Sequence, residues 1–133
     1  MGDISKHFSR SEFACRCGCG FDTVDIELIK VLEDLYIHFQ IIYQCIYVQI
    51  CGPNRCEKHN LSIKNSSPLS KHLIGQASDI KVKYKNNSSL LQVDPELVGS
   101  YLEAEYPNKY GIGKYYNRTH VDIRKHEARW NRR

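Results

Sequence analysis

Between Val24 and Phe39 the apolar residues Val24, Leu28, Val31, Leu32, Leu35 and Phe39 recur at helical intervals. That spacing puts them on one face of a helix through DTVDIELIKVLEDLYIHFQ, with Asp22 or Thr23 as its cap. His38 near its end suits the helix dipole as a cation and needs no further role. IYQCIYVQI, rich in β-branched and aromatic residues, predicts a strand that CGPN ends. RCEKHN follows as a turn or short helix, and residues 61 to 69 are polar and loop-like. In ASDIKVKY side chains alternate: Ile80, Val82 and Tyr84 share one face, Asp79, Lys81 and Lys83 the other. NNSS reads as loop. VDPELVGSYLEAEY predicts a second helix, with Asp94 as N-cap, Pro95 at the first position, and Leu97, Val98, Tyr101 and Leu102 as its face. PNKYGIG is a turn region, and KYYNRTHVDIR supplies one or two strands. In the latter, Val121 and Ile123 take the apolar face, while His120, Asp122 and Arg124 take the other. Near the start, SRSEF is a short element capped by Ser9 or Ser11, and CRCGCGFD is loop. The order helix, strand, strand, helix, strand, strand predicts an α+β fold, a mostly antiparallel sheet flanked by helices.

Length adds one constraint: 133 residues suit one domain, 1–133, with a modest core. With 41% hydrophobic and 26% charged residues, the composition is that of a soluble globular chain. No apolar run approaches the roughly 20 residues that span a bilayer. The start, MGDISKHFSRSEF, has no apolar segment of a secretory signal. The net charge of +4 owes much to the tail RKHEARWNRR, which reads first as a solvated, partly frayed terminus. That tail is also the sole support for a nucleic-acid-binding reading. Three of the six cysteines sit in CRCGCG; Cys15, Cys17 and Cys19, with Cys56, could hold a structural metal, the alternative being free or buried thiols.

The chemistry concentrates in SKHLIGQASDI and THVDIR. If their strands pair, Asp79 and His120 lie side by side on one face, and His72 folds over from the preceding loop. Gly75 and Ala77 let that loop pass close to the sheet. Two imidazoles and one carboxylate leave a fourth position open, the ligand count of a catalytic zinc rather than a closed structural one.

Ser70, His72, Gly75, Ala77 and Asp79, followed by the distant H-x-D-x-R of His120, Asp122 and Arg124, resemble the zinc D-alanyl-D-alanine carboxypeptidase family. That family shares its fold with the hedgehog signalling domain and includes phage endolysins. HFSRSEFACRCGCG, VQICGPNRCEKHN and GIGKYYNRTHVDIR resemble further motifs of its small phage and bacterial members, so the likeness covers residues 7 to 130. It implies a hedgehog/DD-peptidase-like fold and Zn2+ held by His72, Asp79 and His120. It implies that Arg55 holds the substrate's carboxylate or carbonyl, a task suited to a fixed guanidinium fork. Ser70 and His59 also match motif positions: both read as loop braces, Ser70 on the substrate side as well.

Two departures stand out. Many relatives carry an acidic residue three places before the last zinc histidine, where this chain has Asn117. Asp122 is the nearest substitute: it could act as base, orient a ligand, or pair with Arg124. The family's S-G-Y-R reads G-P-N-R here, at Gly52, Pro53, Asn54 and Arg55. The resulting expectation is zinc-dependent hydrolysis of peptidoglycan stem peptides, with Asp122 and Arg55 catalytic and Arg55, Ser70 and Arg124 binding substrate. The partner is a peptidoglycan peptide, with no nucleic acid, no membrane insertion and a monomeric chain. Such a protein stays cytoplasmic until released, or is phage-associated, and acts on the cell wall. A different class also stands: a non-catalytic, zinc-stabilised binding module of the same fold. The tyrosines at 110, 115 and 116 and Trp130 could pack the core or line a cleft.

Overall fold

A computed structural model describes residues 2–14, 24–52 and 76–132. Helix α1 spans Ile26–Tyr43 and buries Leu28, Ile29, Val31, Leu32, Leu35 and Phe39. Its N-cap is Asp25, whose side chain accepts from the Glu27 N–H at 2.9 Å; Asp22 and Thr23 lie outside the described residues. Asp25 serves because its extended backbone stands directly before the first turn. The helix takes in Ile42 and Tyr43, which the sequence pattern assigns to a strand, and ends where Gln44 adopts φ 69°. Strand β1 then covers Ile46–Gly52.

β2, Ala77–Asn86, is the long strand on which the sheet is built. It pairs antiparallel with β1 on one side. On the other side it pairs with two strands: β3 (Ser89–Gln92) along its second half and β5 (Thr119–Asp122) along its first. β4 (Gly111–Lys114) pairs antiparallel with β5, and β6 (Ala128–Asn131) lies parallel to β4 at the edge. The path β1-β2-β5-β4-β6 is thus a mixed sheet, antiparallel except at its last pair. Helix α2, Pro95–Glu105, begins as the sequence predicts, with Asp94 accepting from the Glu96 N–H at 2.9 Å and Pro95 at its start. Of its expected face, Val98 and Leu102 are buried, whereas Leu97 is exposed.

Strand alternation separates two jobs. Val48, Ile50, Ile80, Val82, Ile112 and Val121 join the helices in one apolar core. Burying each such side chain contributes about 1.5–3 kcal/mol. The His38 ring stacks on Tyr101 at 4.2 Å and so links α1 to α2. The segment before α1 is anchored too. Phe8 and Phe13 are buried, and Glu33 accepts from the His7 N–H at 2.8 Å and contacts its Nδ1 at 2.6 Å.

Two strands correct the sequence reading. The asparagine-rich loop is a tight turn, with Asn87 at φ 58°, that leads into β3. The basic tail is not a frayed end, since residues 128–131 form β6. Arg129 fastens it, donating to the carbonyls of Tyr110 at 2.6 Å and Tyr106 at 2.9 Å.

Candidate metal centre

The face of the sheet opposite the core carries polar chemistry in two transverse rows. In the first, Asp79 on β2 pairs with His120 on β5, His120 with Gly113 on β4, and Gly113 with Trp130 on β6. In the second, two residues along each strand, the partners are Ala77, Asp122, Gly111 and Ala128. The period-2 pleat therefore sets Asp79, His120, Asp122 and Trp130 on one surface.

The glycines make these rows possible. A Cβ on Gly113 would stand 2.3 Å from Trp130 Nε1, and one on Gly111 would stand 2.4 Å from an Asp122 carboxylate oxygen. Each is a close approach that tolerates no side chain. The indole thus lies across β4 toward the imidazole, 5.1 Å between ring centroids.

His120 has a carboxylate at each ring nitrogen. Nδ1 lies 2.9 Å from Asp79 Oδ1, and Nε2 lies 2.8 Å from Asp122 Oδ2. A neutral imidazole carries one N–H, so it cannot donate to both. One end must hold a second proton or share a metal cation with the carboxylate. Burial alone would lower the His120 pKa, but the hydrogen bonds to Asp122 and Asp79 outweigh it and raise it.

Which end would take a metal follows from what else each carboxylate holds. Asp122 is fully buried. Its Oδ1 accepts from the Gly111 N–H at 3.1 Å, the Arg124 N–H at 3.2 Å and Arg124 Nε at 2.8 Å, while Arg124 Nη2 donates to Oδ2 at 2.8 Å. Burial would raise its pKa, yet the hydrogen bonds from His120 and Arg124 hold it far below the usual carboxylate range. Asp122 therefore fits as the group that receives Nε2–H and orients the ring, as carboxylates behind metal-bound histidines do. Asp79 is less enclosed: its side chain is 21% exposed. It and Nδ1 offer an oxygen and a nitrogen donor that together fit a zinc ion.

The expected site residues separate as follows. Asp79 and His120 are brought together, with Asp122 and Arg124 behind them. His72, Ser70, Arg55 and His59, with Cys15, Cys17, Cys19 and Cys56, lie outside the described residues. Among the described residues no group of three or more His, Cys, Asp or Glu side chains is placed to hold a metal, so the pair needs a further ligand from elsewhere. Of the cysteines described, Cys45 and Cys51 are free, and the Cys51 thiol donates to the Asp79 carbonyl at 3.2 Å. Asn117 is exposed on the turn between β4 and β5, where its carbonyl accepts from Gln92 Nε2 at 2.8 Å.

Three groups were missed or left open by the sequence. Trp130 stands beside His120, its Nε1 donating to the Tyr115 hydroxyl at 2.9 Å. Tyr115 is thus at the site, whereas Tyr110 is in the core and Tyr116 is exposed on the turn. Arg118, one pleat before His120, places Nε 3.7 Å from Asp79 Oδ2. The period-2 repeat Arg118, His120, Asp122 and the paired glycines of G-I-G are the sequence signals that point to this surface.

A family model described as Peptidase M15 matches residues 6–122. No curated protein and no solved structure matches the chain.

Proposed function

Because the chain belongs to the peptidase M15 family, zinc peptidases that include D-Ala-D-Ala carboxypeptidases, we propose that it cleaves peptide bonds in peptidoglycan stem peptides. Either a carboxypeptidase or an endopeptidase of the endolysin type fits. The observation that carries this reading is the in-register pair of Asp79 and His120, with Asp122 fixing the far side of the imidazole.

Asp79 and His120 would hold the ion, with His72 as the third ligand. A bound zinc would supply an acidified water and polarise the scissile carbonyl. The chain's own residues do the positioning. Asp122, locked by Arg124 and two backbone N–H groups, keeps His120 in one orientation and one tautomer. A buried carboxylate with these partners and so low a pKa is a poor proton acceptor, which favours this orienting role over the role of base. Arg124, whose guanidinium donates twice to Asp122, braces that carboxylate. Arg55 remains the candidate for stabilising negative charge on the substrate. Trp130 stands beside the imidazole and donates to Tyr115.

The absence of an acidic side chain at Asn117, together with the engaged state of Asp122, favours a second reading, a zinc-stabilised module that binds wall peptides without cutting them. Mass spectrometry of purified muropeptides incubated with zinc-loaded protein, beside a chelated control, separates the two. Zinc-dependent loss of alanine or cleavage of a stem peptide supports the peptidase. Intact fragments from several wall chemotypes would sink it.

A further inference from the structure

We infer that Arg118 binds a carboxylate of the substrate beside the scissile bond; this rests on the peptidase reading above and specifies its substrate. Two of the arginines on or beside these strands are already engaged. Arg124 is forked onto Asp122. Arg129 donates from both terminal nitrogens to backbone carbonyls. The Arg118 guanidinium makes a single hydrogen bond among the described residues, a long one of 3.3 Å to the side chain of its neighbour Asn117. The nearest carboxylate oxygen, on Asp79, is 3.7 Å from its Nε, beyond hydrogen-bonding range.

Arg118 is positioned by a ring together with its ion pair to Asp79, and not by a forked hydrogen bond. Its guanidinium carbon lies 4.1 Å from the centroid of Tyr115, whose hydroxyl is held by Trp130, which in turn sits beside His120. A guanidinium stacked on an aromatic ring uses its face and leaves its edge donors for a ligand. The side chain is 38% exposed, so a ligand can reach it. A charged, pre-oriented fork next to one of the two paired metal ligands matches a carboxylate in shape and sign. Two sources carry that chemistry: the terminal carboxylate of a peptide trimmed at its end, or an acidic side chain within a stem peptide cut internally.

The test uses the zinc-loaded full chain and calorimetric binding of three probes. These are an acetylated D-Ala-D-Ala peptide, its C-terminal amide, and an amidated peptide with an internal glutamate. Turnover of the same probes is followed in parallel. The wild type should favour at least one carboxylate-bearing probe over the plain amide by about tenfold or more, as a hydrogen-bonded charge pair would give. Preference for the terminal acid identifies end trimming; preference for the glutamate peptide alone identifies the side chain. Arg118→Gln should erase the preference, and Arg118→Lys should keep part of it. With turnover, Arg118→Gln should raise KM for the favoured probe and leave kcat nearly unchanged. An undiminished preference in Arg118→Gln, or none in the wild type, overturns the inference. An Arg118-dependent preference without turnover leaves it standing and overturns the peptidase reading instead.

Discussion

At His120, one imidazole lies between two carboxylates that have unequal tasks. Asp122 has its lone pairs filled by Arg124 and by backbone N–H groups, so its part is to aim the ring. Asp122→Asn should therefore weaken zinc binding by roughly 10–100-fold, as loss of a partner behind a metal ligand does. Activity should return as zinc is raised; a zinc titration followed by both affinity and turnover checks this. If Asp122 were the base, activity would stay lost even with zinc saturating. Gly113 is a second residue-scale test. Gly113→Ala pushes a methyl into Trp130, and an overpacked site of this kind costs about 1–3 kcal/mol, readable by denaturant unfolding. The alternation of THVDIR and ASDIKVKY was enough to read Asp79 and His120 as neighbours. Trp130 was not readable in this way, because its approach to His120 depends on a parallel strand and an empty glycine position that no local pattern announces.

Among the elements, those with a strong period were legible. α1 and α2 show their apolar stripes, and α2 shows its Asp-Pro start. β3 was not, because Ser89, Leu90, Leu91 and Gln92 are all exposed and have no buried alternate face to reveal a strand. β6 was hidden by its charge: Arg129 points its donors at backbone carbonyls and so ties down a segment that looks solvated. The segment before α1 has its own lock at Glu33. Burial would raise the Glu33 pKa, but hydrogen bonds from Ser5 and His7 lower it overall. A carboxylate with a depressed folded-state pKa stabilises the protein above its unfolded value of about 4.3, and that contribution fades as pH falls through the folded value. Glu33→Gln should lower the unfolding midpoint at pH 7, and the gap from wild type should close on acidification below about pH 4. Thermal melts across pH measure it; a gap that persists unchanged in acid would show that the ionised carboxylate is not the source.

At the scale of the molecule, helices on one face of a sheet leave the other face for chemistry, and the transverse row from Asp79 to Trp130 gathers residues from four strands. A ligand that binds only this folded arrangement also stabilises it, by about 2.7 kcal/mol at a hundred times its dissociation constant. Family membership and this geometry meet in one proposal: that the pair on β2 and β5 helps to hold a single zinc ion. Native mass spectrometry of the zinc-loaded chain, with Asp79→Ala and His120→Ala beside it, addresses that proposal. One zinc per wild-type chain, lost from both variants while they remain folded, is the expected result. Zinc retained at full occupancy in either variant would place the metal elsewhere and contradict the site described.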